Sequence, residues 1–156
     1  MRVDEVMTRN VRTATTETRL EEVAAVMCLN RLSGLPVVDG DDRLVGFVAE
    51  RDILHYLFPS LDDLMENSGI RDFEQMEQQY GATLGLTVTD VMHKGVVSVS
   101  PDTPLLRATS VMVRHKFRRI PVADADGQLV GIVSIGDIHK ALFKHNLLNS
   151  QQRRAA

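Results

Sequence analysis

The stretch GIVSIGD, residues 131–137, decides the fold because it recurs as GFVAERD at residues 46–52. Both copies place a glycine, two apolar residues and an aspartate at the same spacing, but the serine of the second copy is an alanine in the first. A shift of 85 positions carries residues 3–58 onto residues 88–143 without a gap. The sequence therefore predicts two copies of one structural unit.

The repeat also predicts how the chain is organised. It gives a first repeat at 3–58, a connector at 59–87, a second repeat at 88–143 and a C-terminal tail at 144–156. The connector is expected to be partly helical between Gly69 and Gly81, because apolar residues recur there at near-helical spacing. These residues are Ile70, Phe73, Met76 and Tyr80. The connector either packs on the repeats or docks a regulated partner.

Composition points to a folded globular protein. Of the 156 residues, 44% are hydrophobic and 25% are charged, which is far from the signature of disorder. The net charge of −3 gives no general attraction for nucleic acid or anionic membranes, and aromatic residues for base stacking make up only 4%. The single cysteine, Cys28, cannot form an intramolecular disulfide, so we expect a cytoplasmic location and a core position for this side chain.

Each repeat has the pattern of a β-α-β-β-α unit. Short strands are predicted at 11–13 and 96–100, followed by amphipathic helices and then by apolar hairpins with turns rich in aspartate and glycine. The helices carry candidate N-terminal caps, a capping box that begins at Thr18 and an N-cap at Thr103 before Pro104. We predict an α/β fold in which the two repeats pack about a pseudo-twofold axis.

Ser134 and Asp137 are the strongest candidates for ligand binding. They lie where the second hairpin enters a helix, and free backbone N–H groups at a helix start favour anions. A carboxylate in this turn can also accept hydrogen bonds from the two hydroxyls of a ribose. The alternative is a capping box in which Ser134 and Asp137 bind only each other's backbone. Asp52 persists in the first repeat although Ala49 cannot cap, which favours a separate role for the carboxylate.

Several motifs in the same order in both repeats carry a family resemblance. A Val-Met pair precedes each repeat (VMT at 6–8, VMH at 91–93), an apolar-Pro-Val strand follows, and Gly-apolar-x-Ser/Thr-x-x-Asp closes the second repeat. The chain resembles the CBS domain, present here as a tandem CBS pair or Bateman module. The resemblance implies a regulatory module rather than an enzyme. It needs no cofactor and binds AMP, ADP, ATP or another adenosine-containing ligand such as S-adenosylmethionine.

The resemblance also implies two composite clefts, each combining one aspartate with the strands of the other repeat. The first cleft would use Ser134, Asp137, Thr13, Gly34, Leu35 and Pro36. The second would use Asp52, Val97, Ser98, Arg118, Arg119, Ile120 and Pro121. The two arginines are candidates for phosphate contacts, although cations also favour the carboxyl end of a helix without any ligand. Because Ala49 removes one hydroxyl, the two clefts should not be equivalent.

The resemblance further implies a homodimer and a regulated protein partner, with no nucleic acid or membrane among the partners. The alternative function is a CBS pair without ligand that dimerises or docks onto a transporter, kinase or enzyme. The sequence contains no nucleophile elbow, P-loop or metal-binding spacing among its five histidines. We therefore expect no catalytic residues and no metal.

Overall fold

The computed structural model describes residues 1–58 and 72–155, with the backbone alone for 151–155. The protein has the predicted mixed α/β fold with two repeats. It divides into two compact units. We call Arg12–Val96 the central unit, and Met1–Val11 together with Val97–Ala156 the terminal unit.

The central unit contains the body of the first repeat and a four-stranded sheet. The elements are β1 (Ala14–Thr15), α1 (Leu20–Asn30), β2 (Gly34–Val38), β3 (Leu44–Ala49), α2 (Glu50–His55), α3 (Phe73–Thr83), α4 (Val88–Val91) and β4 (His93–Lys94). Strand β1 pairs in parallel with β2, and the pairs β2–β3 and β3–β4 are antiparallel.

The terminal unit contains the body of the second repeat. A 3₁₀ turn at Val3–Glu5 opens the chain, and β5 and β6 form an antiparallel hairpin. Val99 adds a parallel bridge to Val122 of this hairpin. The remaining elements are α5 (Leu105–His115), β5 (Arg119–Ala123), β6 (Leu129–Ser134) and α6 (Ile135–Ala155).

Each repeat has a leader at its N-terminal end, residues 1–11 for the first and residues 86–96 for the second, and each leader belongs to the unit that contains the body of the other repeat. Val88 N donates to Thr18 O at 2.9 Å in the central unit, and Val3 N donates to Thr103 O at 3.0 Å in the terminal unit. These two bonds join equivalent positions of the repeat. The same exchange of segments therefore completes both units.

The leaders also explain why the predicted helix caps are wrong. Helix α1 has Arg19 as its N-cap, and no side chain caps it. Thr18 Oγ1 instead accepts a hydrogen bond from Thr15 N at 3.0 Å. Leu20 N, an N-terminal donor of the helix, is satisfied by Leu86 O at 2.9 Å. The leader's backbone thus replaces the hydroxyl cap that the local sequence favoured.

The N-terminus of α5 follows the same pattern. Its N-cap residue is Pro104 rather than the predicted Thr103, and no side chain caps the helix. Leu105 N donates to Met1 O at 3.3 Å, which is the equivalent of the Leu20–Leu86 bond in the central unit. In each of these two helices, the N–H group of the first helical residue therefore finds a partner outside its own repeat.

Each unit has its own hydrophobic core. The core of the central unit is formed by Ala14, Leu20, Val23, Met27, Leu35, Val37, Val48, Ile53 and Val88. The core of the terminal unit is formed by Val3, Met7, Val99, Leu105, Ala108, Met112, Ile120, Val122, Val133 and Ile138. The predicted core position of Cys28 is wrong. Its side chain is exposed because it follows Met27 on the helix, one step beyond the buried face.

The leader methionines lie against the glycines that open the repeated hairpin-to-helix motif. A Cβ atom added at Gly46 would lie 2.7 Å from Met92 Sδ, and one added at Gly131 would lie 2.6 Å from Met7 Sδ. These distances are shorter than real carbon–sulfur contacts. Glycine at both positions therefore makes room for the exchanged leader.

Several element boundaries differ from the sequence prediction. The strand predicted at 11–13 is β1 at Ala14–Thr15, and the one predicted at 96–100 is reduced to the bridge of Val99. Helix α6 continues through residues 144–155, which the sequence assigned to a tail. The connector contains α3, but Ile70 of its predicted apolar pattern lies outside the described residues.

Candidate functional site

The junction between β6 and α6 holds Ser134 and Asp137 in contact. Asp137 Oδ2 accepts hydrogen bonds from Ser134 N at 3.2 Å and from Ser134 Oγ at 2.5 Å. In return, Asp137 N donates to Ser134 Oγ at 3.0 Å. The capping box considered in the sequence analysis is therefore present. Asp137 Oδ1 accepts no hydrogen bond from the described residues, so one carboxylate oxygen has no protein donor.

The equivalent junction between β3 and α2 is completed differently. Ala49 N donates to Asp52 Oδ2 at 2.8 Å, which preserves the backbone half of the capping box. No hydroxyl is present at Ala49, and Asp52 Oδ1 instead bonds His93 Nε2 at 2.9 Å. His93 lies on β4, in the leader exchanged from the second repeat. Both oxygens of Asp52 therefore have a protein partner.

A shallow cavity of about 380 Å³ lies beside this junction within the central unit. Its volume is in the range of small-molecule sites. Its two carboxylates already have partners, since Asp90 accepts bonds from the backbone and hydroxyl of Thr87 and Asp52 is held as described above. The lining residues are Arg51, Asp52, His55, Tyr56, Asp90, Val91 and His93.

The other candidate residues of the central unit lie on or beside β1 and β2. Thr13 directly precedes β1, while Gly34, Leu35 and Pro36 open β2 and are buried. A Cβ atom at Gly34 would lie 2.5 Å from the ring of Phe47 on β3. Gly34 therefore keeps the two strands close at the end of the hairpin where α2 begins.

The candidate residues of the terminal unit include the two arginines. Arg119 lies opposite Ser134 in the β5–β6 hairpin, and Arg118 O accepts a bond from Ile135 N at 3.0 Å. Neither guanidinium group forms a hydrogen bond or ion pair with the described part of the chain. Val97 and Ser98 precede the Val99 bridge, and Ile120 and Pro121 are buried in β5.

The predicted composite clefts each take residues from both units, and the grouping of those residues stays a prediction. Within single units, the structure brings together Ser134 with Asp137 and places Arg119 opposite Ser134. The sequence analysis missed His93 as a partner of Asp52. The sequence does contain a signal for this contact. The repeat aligns His93 with Thr8 and Ala49 with Ser134, so the unit whose junction lacks the serine is the one whose leader carries a histidine instead of a threonine.

The described residues contain neither a metal-binding cluster nor a membrane-spanning helix. Among residues 1–58 and 72–155, no group of three or more histidine, cysteine, aspartate or glutamate side chains could hold a metal ion. Within the same described ranges, no helix combines the length and the apolar character needed to cross a bilayer.

Comparison with known proteins gives consistent matches along the chain. The family model described as CBS domain matches residues 3–59 and 88–144. An uncharacterized protein of Methanocaldococcus jannaschii is 35% identical over 137 residues, covering 80% of this chain and 81% of that protein. The chloroplast protein CBSX1 of Arabidopsis thaliana is 31% identical over 139 residues. That match covers 81% of this chain and 57% of CBSX1.

One solved structure adds a ligand to the comparison. The crystal structure of CBSX2 in complex with AMP superimposes with a TM-score of 0.72 at 29% sequence identity. The match covers 93% of this chain and 98% of that chain. The fold described above is therefore shared over nearly the whole length of both chains.

Proposed function

Since the chain belongs to the CBS domain family, we propose that it is a regulatory CBS pair that binds an adenosine-containing ligand and signals energy or metabolite state to a partner protein. The match to a structure of CBSX2 in complex with AMP supports this class of ligand. AMP, ADP and ATP are the leading candidates. The protein acts as a sensor rather than an enzyme, and it works in the cytoplasm.

The observation that carries the proposal is the state of Asp137. Its Oδ2 is held by Ser134, which fixes the orientation of the carboxylate, and its Oδ1 has no donor within residues 1–58 and 72–155. A ribose hydroxyl could donate to this oxygen in a charge-assisted hydrogen bond. The capping box and ligand binding are therefore compatible, because the cap uses one oxygen and leaves the other.

Arg118 and Arg119 favour a phosphorylated ligand within the adenosine class. Arg118 and Arg119 have no acidic partner among the described residues, although a guanidinium group binds phosphate well in a two-bond geometry. In the proposed arrangement these arginines serve the cleft that contains Asp52. AMP, ADP and ATP can use them, whereas S-adenosylmethionine carries no phosphate.

We also propose that the chain forms a homodimer through its exposed apolar helix surfaces. Phe58 follows α2 and is 46% exposed, and its repeat equivalent Phe143 on α6 is 61% exposed. Exposed aromatic side chains at equivalent positions of both repeats suit a self-complementary interface. Ligand binding would then reach a partner protein by favouring one arrangement of the repeats or protomers over another.

The alternative is a CBS pair that works without ligand by dimerising or docking onto a transporter, kinase or enzyme. One observation favours it, namely that His93 and Ala49 N together occupy both oxygens of Asp52. A cleft built on this aspartate has no free carboxylate oxygen for a ribose. If Asp137 also bound no ligand, the protein would be an interaction module only.

Isothermal titration calorimetry with AMP, ADP, ATP and S-adenosylmethionine tests the proposal. We expect at least one adenine nucleotide to bind, and Asp137→Ala to weaken that binding by about 1.5–3 kcal/mol through loss of a charged acceptor. Asp126→Ala, which changes an exposed turn aspartate of the same unit, is the matched control. Asp137→Asn keeps an oxygen for the cap and serves as a second variant if the alanine variant unfolds.

Two outcomes would contradict the proposal. Unchanged nucleotide affinity in both Asp137 variants would show that this carboxylate does not hold the ribose. An absence of binding for all four ligands to the folded wild-type protein would favour the interaction module instead. Thermal unfolding should agree with calorimetry, because a ligand that binds only the folded state raises the midpoint.

A further inference from the structure

We propose that His93 is a specificity-determining residue that restricts ligand access to Asp52, and this inference rests on the proposed function. In the structure, His93 Nε2 bonds the oxygen of Asp52 that corresponds to the unused carboxylate oxygen of Asp137. A ribose hydroxyl that donates to Asp52 Oδ1 must therefore displace the imidazole. The site on Asp52 is weakened by an internal competitor, whereas the site on Asp137 is not.

The sequence supports a paired exchange rather than an isolated contact. The repeat aligns Ala49 with Ser134 and His93 with Thr8. Where the serine is present, its hydroxyl bonds the aspartate and the leader residue Thr8 makes only backbone bonds to Ile132. Where the serine is missing, the leader supplies an imidazole to the aspartate instead. Both aspartates thus gain one side-chain bond beside the bond from the backbone, but on different oxygens.

The burial of the two groups suits a reversible competitor. The side chain of Asp52 is 7% exposed, whereas that of His93 is 72% exposed. The imidazole can therefore turn into solvent without uncovering the core, while the backbone of β4 stays paired to β3 at Phe47. Asp52 keeps its bond from Ala49 N throughout, so the carboxylate remains oriented after the imidazole leaves.

The geometry around the pair leaves room for a ligand group to take the imidazole's place. His93 and Asp52 line the 380 Å³ cavity of the central unit. Arg51, His55 and Tyr56 line the same cavity, and their side chains have no partner among the described residues. Removing His93 would therefore expose Asp52 Oδ1 to a cavity that is also lined by the hydrogen-bonding side chains of Arg51, His55 and Tyr56.

The test isolates Asp52 by working in an Asp137→Asn background. Calorimetry with AMP compares this variant with the double variant Asp137→Asn/His93→Ala. We expect the double variant to bind AMP about three- to tenfold more tightly, the range for losing competition from one exposed hydrogen bond. Lys94→Ala, at the neighbouring exposed position of β4, is the matched control and should change nothing.

Adding Asp52→Asn to the double variant should remove the gain in affinity, because the freed oxygen would no longer carry charge. Ala49→Ser in the same background should leave the gain intact, since a serine bonds Oδ2 rather than Oδ1 in the second repeat. Nuclear magnetic resonance of the His93 ring provides an independent readout. Saturating AMP should shift its signal in the Asp137→Asn protein and leave that of His145, whose ring bonds Asn149 on α6, unchanged.

The outcomes separate this inference from the proposed function. Unchanged AMP affinity after His93→Ala would overturn the inference, even where wild-type binding depends on Asp137 and the proposed function stands. A lower melting temperature with unchanged affinity would overturn it as well, and would leave His93 a purely structural role. Unchanged AMP affinity in the Asp137 variants would contradict the proposed role of Asp137, yet a gain of AMP affinity on removal of His93 would still support the inference.

Discussion

The two hairpin-to-helix junctions hold the same aspartate in different ways. At the second junction a serine hydroxyl and a backbone N–H share one oxygen of Asp137. At the first junction a backbone N–H and His93 hold separate oxygens of Asp52. A repeat can therefore preserve a carboxylate and its backbone hydrogen bond while changing whether its second oxygen, Oδ1, is occupied by a protein side chain. The following predictions compare the two units, from the largest expected effect to the smallest.

The largest effect is expected from the two cores. Leu35→Ala and Ile120→Ala change equivalent residues that are almost completely buried. Each should lower the free energy of unfolding by about 2–5 kcal/mol, because lost burial adds to the cost of the remaining cavity. Urea unfolding measures the loss. Leu29→Ala, at an exposed position of α1, should change the free energy of unfolding by less than about 0.5 kcal/mol.

If the two units are equally well packed, the two core variants should lose similar free energy. A loss below about 1 kcal/mol for one variant would contradict the described burial of that residue. A difference of more than about 2 kcal/mol between them would show that one unit relaxes around the cavity and the other does not.

A smaller effect is expected where the leaders pack on glycine. Gly131→Ala should destabilise the protein by about 1–3 kcal/mol, because the new Cβ would overlap Met7 Sδ and lie 3.0 Å from Thr8 O. Gly46→Ala should cost less, because its nearest backbone oxygen is 3.2 Å away. Thermal unfolding compares the two variants. Gly40→Ala has no atom within 4 Å of the added carbon and serves as the control.

A second substitution tests the cause of that destabilisation. Met7→Ala in the Gly131→Ala background would remove the overlapping sulfur, so the double variant should be less unstable than the sum of the two single variants. If the two losses of stability were simply additive, the overlap with the Met7 sulfur would not be the cause, and the contact with Thr8 O would explain the destabilisation instead.

The caps should differ by a smaller amount. Ser134→Ala should cost about 1 kcal/mol, because it removes the hydroxyl that bonds both Asp137 N and its carboxylate. Ala49→Ser offers the first junction the missing hydroxyl and should stabilise the protein by up to about 1 kcal/mol. Chemical denaturation measures both changes. An unchanged stability in Ser134→Ala would contradict a structural role of this capping box.

The smallest effect concerns the turn before α5. A hydrogen bond from Ser100 Oγ, followed by one from its own backbone N–H, lowers the pKa of Asp102 below its ordinary value of 3.8. A lowered pKa stabilises the folded state above the unfolded pKa, and this contribution disappears as pH falls through the folded value. In the Asp102→Asn variant, the free energy of unfolding should therefore fall slightly less steeply as the pH decreases through the pKa of this carboxyl.

Nuclear magnetic resonance titration checks this assignment directly. Ser100→Ala should raise the pKa of Asp102 towards 3.8, since the hydroxyl is the largest cause of the shift. The repeat places Glu17 at the equivalent position of the central unit, where Thr15 and Thr18 bond each other's hydroxyls. A pKa of Asp102 that did not respond to Ser100→Ala would contradict the assignment.

Much of the fold could be predicted because it depends on sequence patterns that are local or that repeat along the chain. The gap-free repeat, the apolar spacing of the helices and the turn residues of the hairpins gave the two repeats and their α/β class. The pairing of Ser134 with Asp137 could also be predicted, since a capping box depends on residues three positions apart.

The remaining features depend on contacts between distant parts of the sequence. Thr18 has the local pattern of a helix cap, but a distant donor, Val88 N, takes its carbonyl and Leu86 O replaces the cap. The bond between Asp52 and His93 joins residues 41 positions apart. Such contacts arise because each leader packs in the unit of the other repeat. Hydrophobic periodicity and intrinsic propensity describe short stretches of sequence, so they do not predict these contacts.

The exchanged leaders also bear on the order in which the chain folds during synthesis. Residues 12–96 contain every segment of the central unit, so this unit can be complete before the terminal unit's main segment has been made. Residues 1–11 are synthesised before the central unit, yet their partners on α5 and β6 are synthesised after it. This leader must therefore wait for its partners, and its closure over a long sequence separation is expected to be the slow step of folding.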